Sequence, residues 1–216
     1  MPSSTFHDLV EACQQTGCPV CRVEQNVLDR YIGNLFYESV NDIKMRERLR
    51  ASLGFCSQHA RMALDRRLGN ALGFAIIYQD VITNILRGLE KNSADSNTFK
   101  PHRHCIVCHE QEKISQLIVS ALIDGLREPQ LAKALRSSDG LCIPHLKIAF
   151  ESVRDTAASE VLRSIHFEKL ESLNNELAEF IRKNDYRFQD EGFGAEGDSW
   201  RRAVNKLTGD RFGAQK

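Results

Sequence analysis

Apolar residues recur along most of this chain in alternating steps of three and four, the spacing that puts side chains on one face of an α-helix. Val20, Val23, Val27, Leu28, Tyr31 and Leu35 form one such row. Ala71, Ala75, Tyr78, Ile82, Ile85 and Leu89 form a second. Ile114, Leu117, Ile118, Ala121 and Leu122 form a third, and Leu170, Leu173, Leu177 and Phe180 a fourth. No stretch alternates apolar and polar residues between turn signals, so no strand is predicted. The pattern therefore predicts an all-α fold. It lapses over Lys91 to His104, which is polar and aperiodic and reads as a linker. It lapses again from Tyr186, where glycine and acidic residues dominate. Helical character returns over Ser199 to Leu207, with Asp198 or Ser199 as the cap.

The cysteines organise these helices into two copies of one unit. Cys18-Pro19-Val20-Cys21 is followed, after a long spacer, by Cys56-Ser57-Gln58-His59. Cys105-Ile106-Val107-Cys108 is followed, after a spacer of nearly equal length, by Cys142-Ile143-Pro144-His145. A shift of 86 aligns Leu49–Ala63 with Leu135–Ala149, and seven of the fifteen positions are identical. Such self-similarity marks an internal repeat. The expected organisation is a metal-binding helical repeat over residues 1–91, a linker over 92–104, a second repeat over 105–185, and a polar tail with a short helix over 186–216.

Two residues between ligands let one turn present both to the same ion, and two such pairs complete a tetrahedral shell. The expected ligand sets are Cys18, Cys21, Cys56 and His59 in the first repeat, and Cys105, Cys108, Cys142 and His145 in the second. Each CxxC would then meet the CxxH of its own copy and tie two helix starts together. Pro19 after Cys18, and Gly54 and Gly140 before the CxxH pairs, put these segments at helix starts. There the free N–H groups and the helix dipole favour thiolate. Two Zn2+ ions are expected, with Cys3His iron–sulfur clusters as the alternative.

Other residues invite competing readings. Cys105-Ile106-Val107-Cys108-His109 fits the CxxCH haem-attachment pattern, but the equivalent position in the first copy is Arg22. His102, His104 and His109 crowd the second ligand set, and His104 or His109 is an alternative to His145. Cys13 has no counterpart and reads as a small buried apolar residue, with a spare oxidisable thiol as the alternative. His166 falls on an apolar helix row and reads as a satisfied core residue, with a ligand pocket between the copies as the alternative. The basic run Lys44, Arg46, Arg48 and Arg50, and Arg61, Arg66 and Arg67 after it, is interleaved with acids and reads as a solvated helix face.

Bulk properties narrow the function. Apolar residues make up 42% and charged residues 27%, and the 29 basic and 29 acidic residues cancel, so a general nucleic-acid binder is not expected. No apolar run approaches a membrane span, and the first residues lack the basic and apolar regions of a secretory signal. Cysteines in CxxC pairs and no export signal point to the reducing cytoplasm. No catalytic motif stands out, and a four-ligand zinc leaves no open position for a substrate. The expectation is a non-enzymatic zinc-binding module acting through contacts with another protein. The alternative is a redox protein, either an iron–sulfur carrier or a zinc-thiolate sensor. The sequence does not fix an oligomeric state.

The segments Cys18-Pro19-Val20-Cys21-Arg22, Gly54-Phe55-Cys56-Ser57-Gln58-His59, their second-copy equivalents, and Ser199-Trp200-Arg201-Arg202-Ala203 resemble an uncharacterised bacterial domain-of-unknown-function family. Its members carry tandem CPxC and GFCxxH segments. The resemblance covers most of the chain; the second copy departs from it at His109 and Leu141 and lacks the proline. It implies the same ligand assignment and no activity.

Overall fold

The computed structural model describes residues 4–90 and 99–209. Among them the chain is helical, with no strand. The helices are α1 Ser4–Ala12, α2 Pro19–Glu38, α3 Ile43–Ala51, α4 Ser57–Asp65, α5 Ala71–Glu90, α6 Ile106–Gly125, α7 Pro129–Ser137, α8 Ile143–Ser152, α9 Thr156–Lys183 and α10 Ser199–Thr208. Two short 3-10 turns, Tyr186–Glu191 and Ala195–Asp198, join α9 to α10.

Local chemistry sets the helix ends. Asp42 caps α3 by accepting from the Met45 N–H at 2.7 Å, and Asp155 caps α9 by accepting from Ala157 at 3.0 Å. Proline opens α2 and sits in the first turn of α7 and α8, where its missing N–H costs nothing. A shift of 86 carries the bounds of α3 onto those of α7 and the start of α4 onto that of α8.

The chain divides into two compact units, and their bounds differ from the expected break between residues 91 and 105. One unit holds the described residues up to Gln25 together with those from Ser115 onward; the other holds the described residues of Asn26–Ile114. In the first, α1 packs on α7, α7 and α10 pack on α9, and α10 also meets α8. Its interior includes Leu9, Leu122, Leu131, Leu135, Leu162 and Ile165, all essentially sealed from solvent. In the second, α3 packs on α5 around Leu28, Ile32, Phe36, Leu49 and Ile77. Of the expected linker, residues 92–98 lie outside the described residues. Further on, the backbone N–H groups of His102 and Arg103 donate to the Ala51 carbonyl.

Helix α5 turns a different face inward from the one its periodicity suggested, whereas α6 departs from its expected row only at Leu117. On α5, Gly73, Ile77 and Val81 are buried, whereas Ile82 and Leu89 are 54% and 44% exposed. A Cβ on Gly73 would lie 3.0 Å from the Phe36 ring, so the bare backbone there lets α2 approach. That contact sets the rotation of α5. On α6, Val119 is buried beside Ile118 and Leu122, while Leu117 is 70% exposed.

Candidate metal centres

All four ligand pairs share one local construction. The first residue of each is the last before a helix, and its carbonyl accepts the first intrahelical bond: Arg22 to Cys18, Ala60 to Cys56, His109 to Cys105 and Leu146 to Cys142. The second ligand follows three residues later, at the third position of the helix. This is the spacing at which a capping side chain and the third helical residue face each other. Cys56 and Cys142 sit in extended backbone with nearly equal angles, φ −65° and ψ 163° against φ −68° and ψ 161°. Gly54 and Gly140, both at positive φ (87° and 70°), turn the chain into them. The residue after each glycine is held from the side. Tyr78 bonds the Phe55 backbone, and His166 Nε2 accepts from the Leu141 N–H at 2.8 Å.

The structure corrects the expected pairing. Cys18 and Cys21 gather with Cys142 and His145, and Cys105 and Cys108 gather with Cys56 and His59. Each CxxC meets the CxxH of the other copy. Helix length accounts for the exchange. From Cys21 to its end at Glu38, α2 carries the chain about 26 Å, and the nine-residue α3 spans only about 14 Å. The turn at Gly54 is tight, its N–H bonded to the Leu49 carbonyl at 2.8 Å, so it adds little reach. The same lengths recur in α6 and α7. A CxxH therefore falls far short of the CxxC that precedes it.

Within each centre the four donor atoms lie within 4.8 Å of one another. In the first, His145 Nδ1 is 3.6, 3.4 and 3.2 Å from Cys18, Cys21 and Cys142 Sγ, and the Cys21 and Cys142 sulfurs are 3.6 Å apart. In the second, His59 Nδ1 is 3.2, 3.8 and 3.4 Å from Cys56, Cys105 and Cys108 Sγ, with 3.6 Å between Cys56 and Cys108. A tetrahedron with ordinary zinc–sulfur and zinc–nitrogen bonds has edges of about 3.8 Å between sulfurs and about 3.5 Å from sulfur to nitrogen. Both donor sets fit a single tetrahedral ion.

Packed this closely, the donors shift one another's ionisation. Burial acts to raise the Cys18 thiol, yet hydrogen bonds with Cys142, Cys21 and His145 bring it well below its ordinary value. Cys21 moves up, through hydrogen bonds with Cys142 and Cys18 and through burial. Burial acts to lower His145, but hydrogen bonds with Cys142, Cys18 and Glu24 raise it to about 12. In the second centre burial opposes ionisation of Cys105, while His59 and the backbone N–H groups of Cys56, Cys108 and Val107 hold it below the usual thiol range. Burial and the neighbouring Cys105 push Cys108 up to about 12. In each centre one thiol is thus lowered and another raised.

The outward histidine nitrogens find different partners. His145 Nε2 lies 3.1 Å from the carboxylate of Glu24, itself 5% exposed and also bonded by the Ser115 hydroxyl. His59 Nε2 lies 3.1 Å from the side-chain oxygen of Gln111. A carboxylate behind a ligating imidazole fixes the tautomer and strengthens the ligand. Glu24→Gln should accordingly weaken metal binding at the first centre by about 10- to 100-fold and leave the second unchanged, as measured by competition with a chelator. A cavity of about 410 Å3 opens beside Cys18 and Cys142, lined among others by Arg22, Lys169, Arg201, Arg202 and Lys206. Asp139, Glu176 and Asp198 line it too, and Arg202 pairs with Glu176 and Asp198, so the acids offset much of the basic charge.

The remaining sequence candidates resolve plainly. His104 and His109 are exposed and belong to neither donor set. Cys13 is buried, and burial pushes its thiol up to about 11, as befits an inert core residue. His166 is buried with both ring nitrogens engaged, Nδ1 donating to the Leu162 carbonyl at 2.7 Å. Arg46 and Arg50 pair with Asp80, and Arg66 with Asp29. Glu24, Gln111 and Lys206 were not singled out beforehand, because each acts through a partner brought close only by folding. Glu24 and Gln111 nevertheless share a position, each three residues after the second cysteine of a CxxC and one helical turn further along α2 and α6, and that spacing was the signal available in the sequence.

Residues 7–213 match the model of a family described as a family of unknown function (DUF6062). The chain is also similar to an uncharacterized 23.9 kDa protein in the xynA 3′ region of Caldicellulosiruptor sp. (strain Rt8B.4). The two are 27% identical over 185 residues, which cover 83% of this chain and 88% of the relative. No solved structure matches.

Proposed function

We propose, from the premise that the chain belongs to the DUF6062 family, that it is a non-enzymatic zinc protein whose two ions hold a helical scaffold for contact with another protein. The observation that carries the metal reading is the donor geometry: three sulfurs and one imidazole nitrogen at tetrahedral-edge distances, twice. Thiolate and imidazole donors in a tetrahedron suit zinc. An iron–sulfur cluster divides its ligands among different irons and spreads some of them well beyond the 4.8 Å within which all four donors lie here. Four protein ligands fill the shell, which supports a structural role over zinc hydrolysis. Thiolates kept unoxidised fit a reducing compartment, the cytoplasm. No helix among the described residues is long and apolar enough to cross a membrane.

The partner reading rests on α5. Leu72, Ile82, Leu86 and Leu89 are 70%, 54%, 52% and 44% exposed along this one helix. Apolar residues grouped on a surface helix are a common mark of protein contact. Elemental analysis of anaerobically purified chain should give two zinc ions per chain and a colourless solution. A brown protein absorbing near about 400 nm would replace zinc with an iron–sulfur cluster. Affinity capture that finds no partner for the fully zinc-loaded chain would remove the contact half of the reading.

A further inference from the structure

The two centres have the same ligands but not the same surroundings. In the first, Cys18, Cys21, Cys142 and His145 are 7%, 5%, 1% and 6% exposed. The end of α10 closes over it: a Cβ built on Gly209 would stand 3.5 Å from Cys142 Sγ and 3.7 Å from Cys21 Sγ. Gly209 is buried, and its φ of 80° is a backbone conformation that a side chain would strain, so the glycine suits the turn that brings the chain beside the two sulfurs. In the second centre Cys105 and His59 are buried, but Cys56 and Cys108 are only partly buried. Those two are also the pair of that centre whose sulfurs stand 3.6 Å apart. Behind its histidine is a neutral carboxamide, Gln111, where the first centre has a buried carboxylate.

We infer that the second centre is a thiol-oxidation site, at which a hydroperoxide joins Cys56 to Cys108 and expels the metal while the first centre keeps its own. This rests on the zinc reading above. Oxidation of a thiolate follows its charge and its access to the oxidant. Both sulfurs would be thiolates in the loaded centre, and both residues are partly exposed, unlike the cysteines of the first centre. One sulfur attacks the peroxide: an S–O bond forms, the O–O bond breaks, and the leaving hydroxide takes a proton to become water. The second thiolate then attacks that sulfur: the S–S bond forms, the S–O bond breaks, and a second hydroxide leaves and is protonated. The two sulfurs lose two electrons in all and the peroxide gains them. Zinc stays divalent and departs because Cys105 and His59 alone hold it weakly. Losing that tie frees the start of α4 from the start of α6.

The test uses the full zinc-loaded chain and hydrogen peroxide, with released zinc followed by a colorimetric chelator and the cysteines mapped by alkylation and mass spectrometry. One zinc ion per chain should leave at least about tenfold faster than the other, together with a peptide linked through Cys56 and Cys108. Cys18, Cys21 and Cys142 should remain reduced until the protein is denatured. Equal rates for the two ions, retention of both, or a disulfide that includes Cys18, Cys21 or Cys142 overturns the inference. A chain purified without two zinc ions is a different outcome: it overturns the zinc reading itself, and this inference with it.

Discussion

In a Cys142→Ser variant, Cys18 and Cys21 will become open to alkylation while Cys105 and Cys108 stay protected. The two pairing schemes give opposite answers here. Had each CxxC met the CxxH of its own copy, loss of Cys142 would strand Cys105 and Cys108. The donor atoms instead place Cys142 Sγ 3.6 Å from Cys21 and in a group with Cys18. One zinc per chain should remain, held by Cys56, His59, Cys105 and Cys108. The stability loss should be large. Zinc bound only by the folded state contributes on the order of 10 kcal/mol in small zinc domains, which rivals the whole stability of an ordinary domain. Burial of the unpaired donors left behind adds to it. The unit that holds residues up to Gln25 and from Ser115 onward should then lose its cooperative unfolding transition. The first centre also closes a longer stretch of chain, with Cys21 and Cys142 separated by 121 residues against 46 between His59 and Cys105. Loop entropy makes its removal about 1 kcal/mol costlier than removal of the second.

Acid should release both ions, and the fall in affinity should be steep. Ligation requires thiolates and a neutral imidazole that offers Nδ1. In the metal-free first centre Cys21 is raised and His145 is raised to about 12, so at neutral pH both carry protons that zinc must displace. In the second, Cys108, at about 12, does the same. The metal-bound form therefore holds fewer protons than the metal-free form at every pH below about 12, and binding strengthens as pH rises through that range. Each displaced proton weakens binding about tenfold per unit of falling pH. A zinc titration in weak buffer should accordingly acidify the solution. Chelation at constant pH should lower far-ultraviolet helicity, because each ion joins two helix starts. A chain whose helicity is unmoved by full zinc removal would show that the ions do not hold the scaffold.

Much of the local structure was legible in the residues. Apolar spacing marked the α2 and α9 segments, and Asp198 and Ser199 marked the start of α10. The ligand pairs announced themselves as helix starts, because a cysteine before the helix and a ligand three residues on face the same ion whatever lies elsewhere. His166 was placed correctly as a satisfied core residue, since a histidine on an apolar row needs only nearby backbone partners. The inward face of α5 was not legible. It depends on Phe36 of α2 lying against Gly73, a contact between residues distant along the chain.

What the sequence alone determined is therefore the all-helical chain and the eight donors in four pairs, each pair a matter of one helical turn. Which pair joins which was decided only in three dimensions. The spacers from Cys21 to Cys56 and from Cys108 to Cys142 look sufficient for closure within a copy, but folded into a long helix and a short return they stop well short. Helix rise converts a count of residues into a reach, and the reach selects the partner from the other copy. The carboxylate or carboxamide behind each histidine is written in the motif itself, at Glu24 and Gln111, whereas the cover of Gly209 over the first centre and the partial exposure of Cys56 and Cys108 in the second follow from packing that the motifs do not encode.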